Sequence, residues 1–343
     1  MIKKLQIRWR QRLAIKPKKT PLVAFLVMLA VTAVAIIPGC YKYEHVRVGV
    51  MPVIDTLPIH FCLWRPIFKG NMVDVDVVSF ATEEERDAAF ISGEVDAIIC
   101  DMPSGVLLSV QGQKGKIVRS VMRGNPSSPM FAIVALQGST IGHASNLKGM
   151  DIAVPGSVTA QYVTDVLLLS VGIQPSDINK VEVTSYEAAL RMLKERQVSA
   201  ALLRTPLITA AIADEAQLII DGGASSLGVS VLVFSQKTID QRPKGVKRLL
   251  FSYEQAVLEM TYRPEEYRTL MIDKGGVPAE IGAIYPMPVY EGVTNVVSET
   301  EVKRVSDWLV KQKLFSSPIS YDDAVTLNFL VDPGTVFRAP CCL

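Results

Sequence analysis

The chain has 343 residues, 49% hydrophobic and 20% charged, with five cysteines and a formal net charge of +2. That length holds about two domain-sized units, the apolar content excludes intrinsic disorder, and so few cysteines exclude a disulfide-built fold. Residues 1–39 contain eight Lys and Arg and no acid, so the remainder carries 28 basic against 34 acidic residues, and a body with a net charge of −6 is not drawn to nucleic acid.

The basic stretch runs into Leu22–Ile37, where fifteen of sixteen residues are apolar and Thr32 is the exception. Sixteen residues fall short of the roughly 20 that span a bilayer comfortably. A basic start, an apolar core and then small residues form the secretory pattern. The segment ends in Ile37-Pro38-Gly39-Cys40, which resembles the bacterial lipobox. That resemblance implies a diacylglycerol on the Cys40 thiol, with Cys40 as the new N-terminus; Pro38 departs from the usual pattern. The alternative is an uncleaved anchor with Cys40 as an ordinary thiol. Either way the body is tethered, with residues 1–19 in the cytoplasm and 41–343 outside.

From His45 onward, strand and helix patterns alternate. His45–Met51 reads as a strand and Leu57–Phe68 as a helix, with Asp55 or Thr56 as N-cap. Val73–Phe80 alternates with period two, which predicts a strand. Thr82 followed by three glutamates is a capping box for a helix ending near Ser92. Val95–Cys100, Lys116–Met122 and Met130–Leu136 follow as strands. The rhythm then restarts: strand Asp151–Val154, helix Thr159–Val171, strand Val181–Thr184, helix Ser185–Arg196, strand Ala200–Leu203. Glu84–Cys100 aligns with Glu187–Leu203 at an offset of 103, and the offset sets Asp101 opposite Arg204. Val229–Gln236 is a further strand, Pro243–Lys274 is helical with a break near Pro264, and Thr300–Lys313 is a late helix. The tail from Pro333 has no periodicity. This βαβα order predicts an α/β chain with mostly parallel sheets covered by helices, in two similar lobes. Met130–Gln137 and Gly228–Gln236 are the expected crossings. The expected organisation is therefore an anchor at 1–39, one lobe from 40–132 and 234–343, and a second from 133–233.

Several stretches together carry a family resemblance. They are Val48-Gly49-Val50-Met51-Pro52, the Glu84–Ala89 helix with Gly93-Glu94-Val95-Asp96-Ala97, and Asn146-Leu147-Lys148-Gly149-Met150-Asp151-Ile152-Ala153-Val154. Over roughly Val46–Val325 the chain resembles the extracytoplasmic solute-binding proteins of ABC importers, in the branch for nitrate, sulfonates and thiamine-precursor pyrimidines. The resemblance implies a two-lobed type II periplasmic-binding fold with a two-strand hinge. It also implies a small-molecule nutrient as ligand, and as partners an ABC permease and its ATPase subunits. It implies a monomer, and no catalysis or cofactor.

Independently of the family, ligands in open α/β sheets bind beyond the carboxyl ends of the strands, where helix N-termini offer free N–H groups. This selects Pro52, Ile54, Asp55 and Thr56 after the first strand, Asp101 and Ser104 after the third, Ser157, Val158 and Thr159, and Arg204 and Thr205. Asp101 would accept from an amine or ring N–H and Arg204 would donate to an acceptor, or the two would form an interlobe salt bridge. Asp55, Thr56, Ser157 and Thr159 are also plain caps. The 125–128 loop borders the expected hinge or is a simple turn. Phe61 and Trp64 read as core, or one of them as a stacking surface for a flat ligand; Cys62 and Cys100 read as buried thiols, and Cys341 and Cys342 as part of an unstructured tail or as a pair that oxidises. His45, His60 and His143 lack metal-ligand spacing, and no nucleophile motif or phosphate loop is present.

The aspartates at the strand ends beside a single arginine favour a neutral or cationic heterocycle, such as a thiamine-precursor pyrimidine, over an inorganic anion. The leading expectation is a membrane-tethered, non-enzymatic receptor. Its alternatives are an enzyme of pyrimidine or menaquinone-precursor biosynthesis on the same fold, or a ligand-sensing membrane scaffold.

Overall fold

The structure, a computed structural model, describes residues 43–125, 128–222, 227–292 and 295–330. The expected anchor 1–39, the lipidation candidate Cys40, the middle of the 125–128 loop, and Cys341 and Cys342 lie outside them. The described residues from Glu44 onward belong to one compact unit.

Alternating and continuous apolar runs sort the strands into edges and centres. β1 (Glu44–Val50) is flanked by β2 (Val73–Ser79) and β3 (Ala97–Asp101), both parallel to it. In β2, Val73 and Val75 are buried while Asp74 and Asp76 face water, as expected at a sheet edge. β3 is buried along its whole length. With β4 (Gly115–Arg123) and β10 (Val229–Ser235) these strands form a five-stranded sheet, in the order β2-β1-β3-β10-β4. β10 runs antiparallel between β3 and β4.

The second sheet repeats this plan. β5 (Phe131–Leu136), β6 (Asp151–Pro155), β7 (Asn179–Val183), β8 (Ala200–Arg204) and β9 (Ala216–Asp221) are ordered β7-β6-β8-β5-β9. Here β5 is the antiparallel strand, between β8 and β9. Each sheet therefore takes its antiparallel strand from chain that has just left the other.

The expected crossing strands do not themselves cross. β5 lies wholly in the second sheet and β10 wholly in the first, so the boundaries set at 132/133 and 233/234 fall inside strands. The chain leaves the first sheet after Arg123 and re-enters it at Val229, and there Gly124 N donates to Gly228 O at 3.0 Å. Gly228 sits at φ +89°, and a Cβ there would lie 2.7 Å from Cβ of Met130. Glycine is required at that point because the backbone is left-handed and closely packed.

The helices covering these sheets include α1 (Leu57–Trp64), α2 (Glu83–Ser92), α3 (Met102–Leu108), α4 (Val158–Ser170), α5 (Tyr186–Lys194), α6 (Pro243–Tyr262) and α7 (Glu299–Lys311). The helix expected over Leu57–Phe68 stops early. Pro66 has no N–H to bond back to the preceding turn, and a separate short turn, Ile67–Gly70, follows it. α6 ends before Pro264, where the sequence placed a break.

One hydrophobic core is shared by both sheets, from Val46, Phe90 and Ile98 through Phe131 to Ile152 and Leu202. A second, smaller core with Val134, Ala189, Leu193 and Leu203 belongs to the second sheet and α5. α7 packs on α3 and reaches α4 through Trp308. There the Trp308 indole N–H donates to Asp165 Oδ2 at 2.9 Å, and its ring meets Tyr162 edge to face at 5.4 Å.

Candidate functional site

The carboxyl ends of β1 and β3 face those of β6 and β8 across a cavity of about 200 Å³. Pro52, Asp55, Glu83, Arg86 and Asp101 line it from the first sheet's side. Pro155, Ser157, Tyr186, Arg204 and Thr205 line it from the second. Such crevices beyond strand ends are where open α/β folds bind ligands.

Asp101 and Arg204 meet across this cavity, as the internal offset predicts. Arg204 Nη2 donates to Asp55 Oδ2 at 2.8 Å and to Asp101 Oδ1 at 3.3 Å. All three residues are buried. Asp101 precedes α3 but caps no N–H of it, which leaves its carboxylate for Arg204. Burial raises the Asp101 pKa and Asp55 adds to the rise, with Arg204 opposing it. Burial also works against the charge on Arg204, but Asp101 and Asp55 outweigh it and hold the guanidinium protonated more firmly than usual. Asp55 Oδ1 and Arg204 Nη1 are sealed without a hydrogen-bond partner.

Ser157 does two jobs. Its Oγ accepts from Ala160 N at 3.2 Å, capping α4, and donates to Glu83 Oε1 at 3.1 Å across the cavity. Thr205 Oγ1 shares a 2.6 Å hydrogen bond with Tyr285 OH, which brings the C-terminal part of the chain to the cavity wall.

The other expected site residues fall elsewhere. Thr56 Oγ1 donates to the carbonyls of Val53 at 2.7 Å and Met51 at 3.2 Å, so it stabilises the turn and does not line the cavity. Thr159 is buried at a second, much smaller cavity between Asp101 and Tyr162, with its hydroxyl unpartnered. Ser104 donates to Asp87 Oδ2 at 2.5 Å. Phe61 packs in the core, whereas Trp64 is 52% exposed at the end of α1. Burial, with Lys274, lowers the His60 pKa to about 4, so His60 is neutral at neutral pH, and it does not line the cavity. Cys62 and Cys100 are buried free thiols, as expected. Cys100 does line the cavity, but burial pushes its thiol well above the usual range, so it is no thiolate. Among the described residues no three His, Cys, Asp or Glu side chains cluster to hold a metal ion.

Sequence reasoning missed three residues of the wall. Arg86 is buried and held by Asp87, with Nε and Nη2 at 2.9 and 2.8 Å from Oδ1. Glu83 begins α2, whose N-cap Thr82 accepts from Glu85 N at 3.2 Å. Burial drives the Glu83 carboxyl up to about 7, Asp101 and Asp87 add to the rise, and Arg86 and Arg204 oppose it. Tyr186 begins α5, behind its own cap Ser185, and its hydroxyl is buried beside Ser157 with no hydrogen bond of good geometry. Glu83 and Tyr186 are related by the same offset of 103 that relates Asp101 to Arg204. Carrying that offset back to the two helix starts would have found both.

No helix of the described residues is long and apolar enough to cross a membrane. No curated protein matches the chain in sequence. Among solved structures, the chain is similar to the periplasmic aliphatic sulphonate binding protein SsuA from Escherichia coli. That match has a TM-score of 0.70 at 16% identity, over 84% of this chain and 99% of that one. It is also similar to the alkanesulfonate-binding protein SsuA from Xanthomonas axonopodis pv. citri bound to MOPS, with a TM-score of 0.68 at 17% identity, over 83% and 99%. The desulfurization enzyme DSZB has the same fold, with a TM-score of 0.61 at 16% identity, over 84% and 97%. At these identities the likeness establishes the fold, which is the two-lobed α/β periplasmic-binding fold expected from the sequence. Residues 67–267 match the family model described as NMT1/THI5 like, more than half of the chain, and the protein belongs to that family.

Proposed function

We propose that this protein is an extracytoplasmic solute-binding receptor. It captures a small organic nutrient between two lobes and delivers it to an ABC import permease and its ATPase subunits. The observation that carries the reading is the cavity, walled by both halves and spanned by the Arg204 contacts to Asp55 and Asp101. A ligand touching both walls favours the closed arrangement over the open one, which is how binding becomes a signal to a partner. The lobes are the two sheets with their helices, and the crossing at Gly124 and Gly228 is the hinge. A Cys40 lipid or a retained N-terminal helix tethers the receptor to the membrane, and it works as a monomer.

The ligand is a neutral or cationic heterocycle of the thiamine-precursor kind. Both cavity arginines are already neutralised, Arg204 by two aspartates and Arg86 by Asp87. Glu84 and Glu187 add further acid to the wall. Among the described residues a sulfonate or nitrate would meet no free cation there, and the carboxylates would repel it. The enzyme reading needs an activated nucleophile in the cavity, and the suppressed Cys100 thiol does not supply one.

The test is a thermal-shift screen of the purified protein against pyrimidines, thiamine, flavins, sulfonates, nitrate and amino acids. A ligand at a thousand times its dissociation constant adds about 4 kcal/mol of stability, which the screen registers clearly. A pyrimidine hit supports both receptor and ligand class. A sulfonate hit keeps the receptor and overturns the ligand class. Turnover of the hit overturns the receptor in favour of an enzyme.

A further inference from the structure

The cavity carboxylates differ in what they have left to give. Asp55 and Asp101 hold Arg204, and Asp87 holds Arg86 and the Ser104 hydroxyl. Glu83 is engaged through one oxygen alone. Its Oε1 accepts from Ser157 of the opposite wall, while Oε2 has no hydrogen-bond partner among the described residues. Oε2 is also absent from the sealed unpartnered atoms, so it keeps accessible surface, on a residue that lines the cavity.

A protonated carboxyl presents an O–H donor beside an acceptor oxygen with a spare lone pair. Its complement is a ring nitrogen beside an exocyclic N–H. We propose that Glu83 is the specificity-determining residue of the cavity, pairing as a neutral carboxyl with the amidine edge of an amino-substituted nitrogen heterocycle while Ser157 holds the same carboxyl from the opposite wall. The Glu83 O–H donates to the ring nitrogen, and Oε1 accepts from the exocyclic N–H and from Ser157. Ligand and closure are then read by one group. This rests on the receptor reading and adds to it a chemical edge and a proton.

The surroundings support the neutral form. Burial raises the Glu83 carboxyl to about 7. The groups facing it are Arg86 and Asp87 on its own helix, Asp101 at the end of β3, Arg204 at the end of β8, and Tyr186 at the start of α5. Glu84 and Glu187 line the same cavity. The two arginines are paired, and the acids favour a proton on Glu83. Above pH 7 the free protein has lost that proton, so binding must take one up from the buffer.

The experiment is calorimetric titration of the full chain in detergent with an aminopyrimidine whose amino group adjoins a ring nitrogen, and with ethanesulfonate. The aminopyrimidine binds, and its affinity falls roughly tenfold per pH unit above about pH 7. At about pH 8, buffers of different ionisation enthalpy report close to one proton taken up per ligand. In Glu83→Gln the slope and the uptake both vanish; in Ser157→Ala the slope remains and the affinity drops. A wild-type affinity independent of pH, or a Glu83→Gln variant that keeps the wild-type slope, overturns the proposal. Binding of ethanesulfonate without the aminopyrimidine overturns it too, but leaves the receptor reading standing. Failure of both probes together with the wider solute panel removes the receptor reading and this proposal with it.

Discussion

Arg204 Nη2 lies 2.8 Å from Asp55 Oδ2, and this buried ion pair ties the end of the second sheet's β8 to the turn that follows β1 of the first. Both side chains are almost fully enclosed, at 7% and 2% exposure. Removing one member of a buried pair leaves the other charge uncompensated, a loss of about 3–5 kcal/mol. Arg204→Ala strands two carboxylates at once, Asp55 and Asp101, so its cost belongs at the upper end. Asp101→Ala leaves the shorter Asp55 contact in place and costs less. Urea unfolding of the two variants checks the order. Under the receptor reading both also weaken ligand binding, and unchanged affinity in both would remove Asp101 and Arg204 from the ligand site.

The crossing segments set a second expectation. Gly228→Ala forces a left-handed backbone on alanine and drives its Cβ against Met130. Strain of this kind costs about 1–3 kcal/mol before the clash is counted. Gly138 has a similar positive φ of +70° with nothing within 4 Å of an added Cβ. Gly138→Ala therefore bears the backbone strain alone. Chemical denaturation should rank Gly228→Ala as clearly the more damaging; equal losses would mean that the crossing segments yield to the added methyl.

A third concerns α7, which joins the two halves and lines no part of the cavity. Asp165 Oδ2 accepts from Trp308 Nε1 at 2.9 Å and from Gln312 Nε2 at 3.0 Å, and Oδ1 accepts from Lys180 at 2.6 Å. Trp308→Phe keeps the ring packing on Tyr162 and deletes one hydrogen bond to a charged acceptor, at a cost of about 1.5–3 kcal/mol. Asp165→Ala removes the acceptor from three donors and costs more. It also changes the tryptophan emission, since the indole loses its partner. A variant of Asp165 with unaltered fluorescence and stability would show that this contact is not formed in solution.

The βαβ rhythm, the restart near Asp151 and the pairing of Asp101 with Arg204 were all legible in the sequence, because each rests on a local period or on the repeat at offset 103. The exact crossings were not. β5 and β10 are apolar runs like any central strand, and nothing local says which sheet takes them; long-range pairing decides it. Thr56 and Thr159 were misleading for another reason. A hydroxyl at a strand end satisfies the nearest carbonyl or packs inward as readily as it faces a ligand, and sequence position does not distinguish these outcomes. Glu83 starts a helix, as the capping box predicts. Its burial opposite Ser157 depends on how the two sheets face each other.

That burial makes stability depend on pH with a definite sign. The Glu83 carboxyl titrates at about 7 in the folded chain against an ordinary value of 4.5. Below 4.5 it is protonated in both states and its contribution to stability is complete. Between 4.5 and 7 the unfolded chain gives up the proton while the folded chain keeps it, so stability falls as pH rises. Above 7 both are ionised and the contribution is gone. The gap corresponds to roughly 3 kcal/mol in all, most of it lost between pH 5 and pH 8. Burial raises Asp101 in the same direction, so wild-type stability alone mixes the two. Glu83→Gln isolates one of them, because the amide does not titrate. Urea unfolding of wild type and Glu83→Gln at both pH values should show the wild type losing more stability than the variant as pH rises, by roughly 2–3 kcal/mol. If the difference between the two proteins is the same at pH 5 and pH 8, Glu83 is solvated in the ligand-free protein, and the two walls of the cavity stand apart until a ligand joins them.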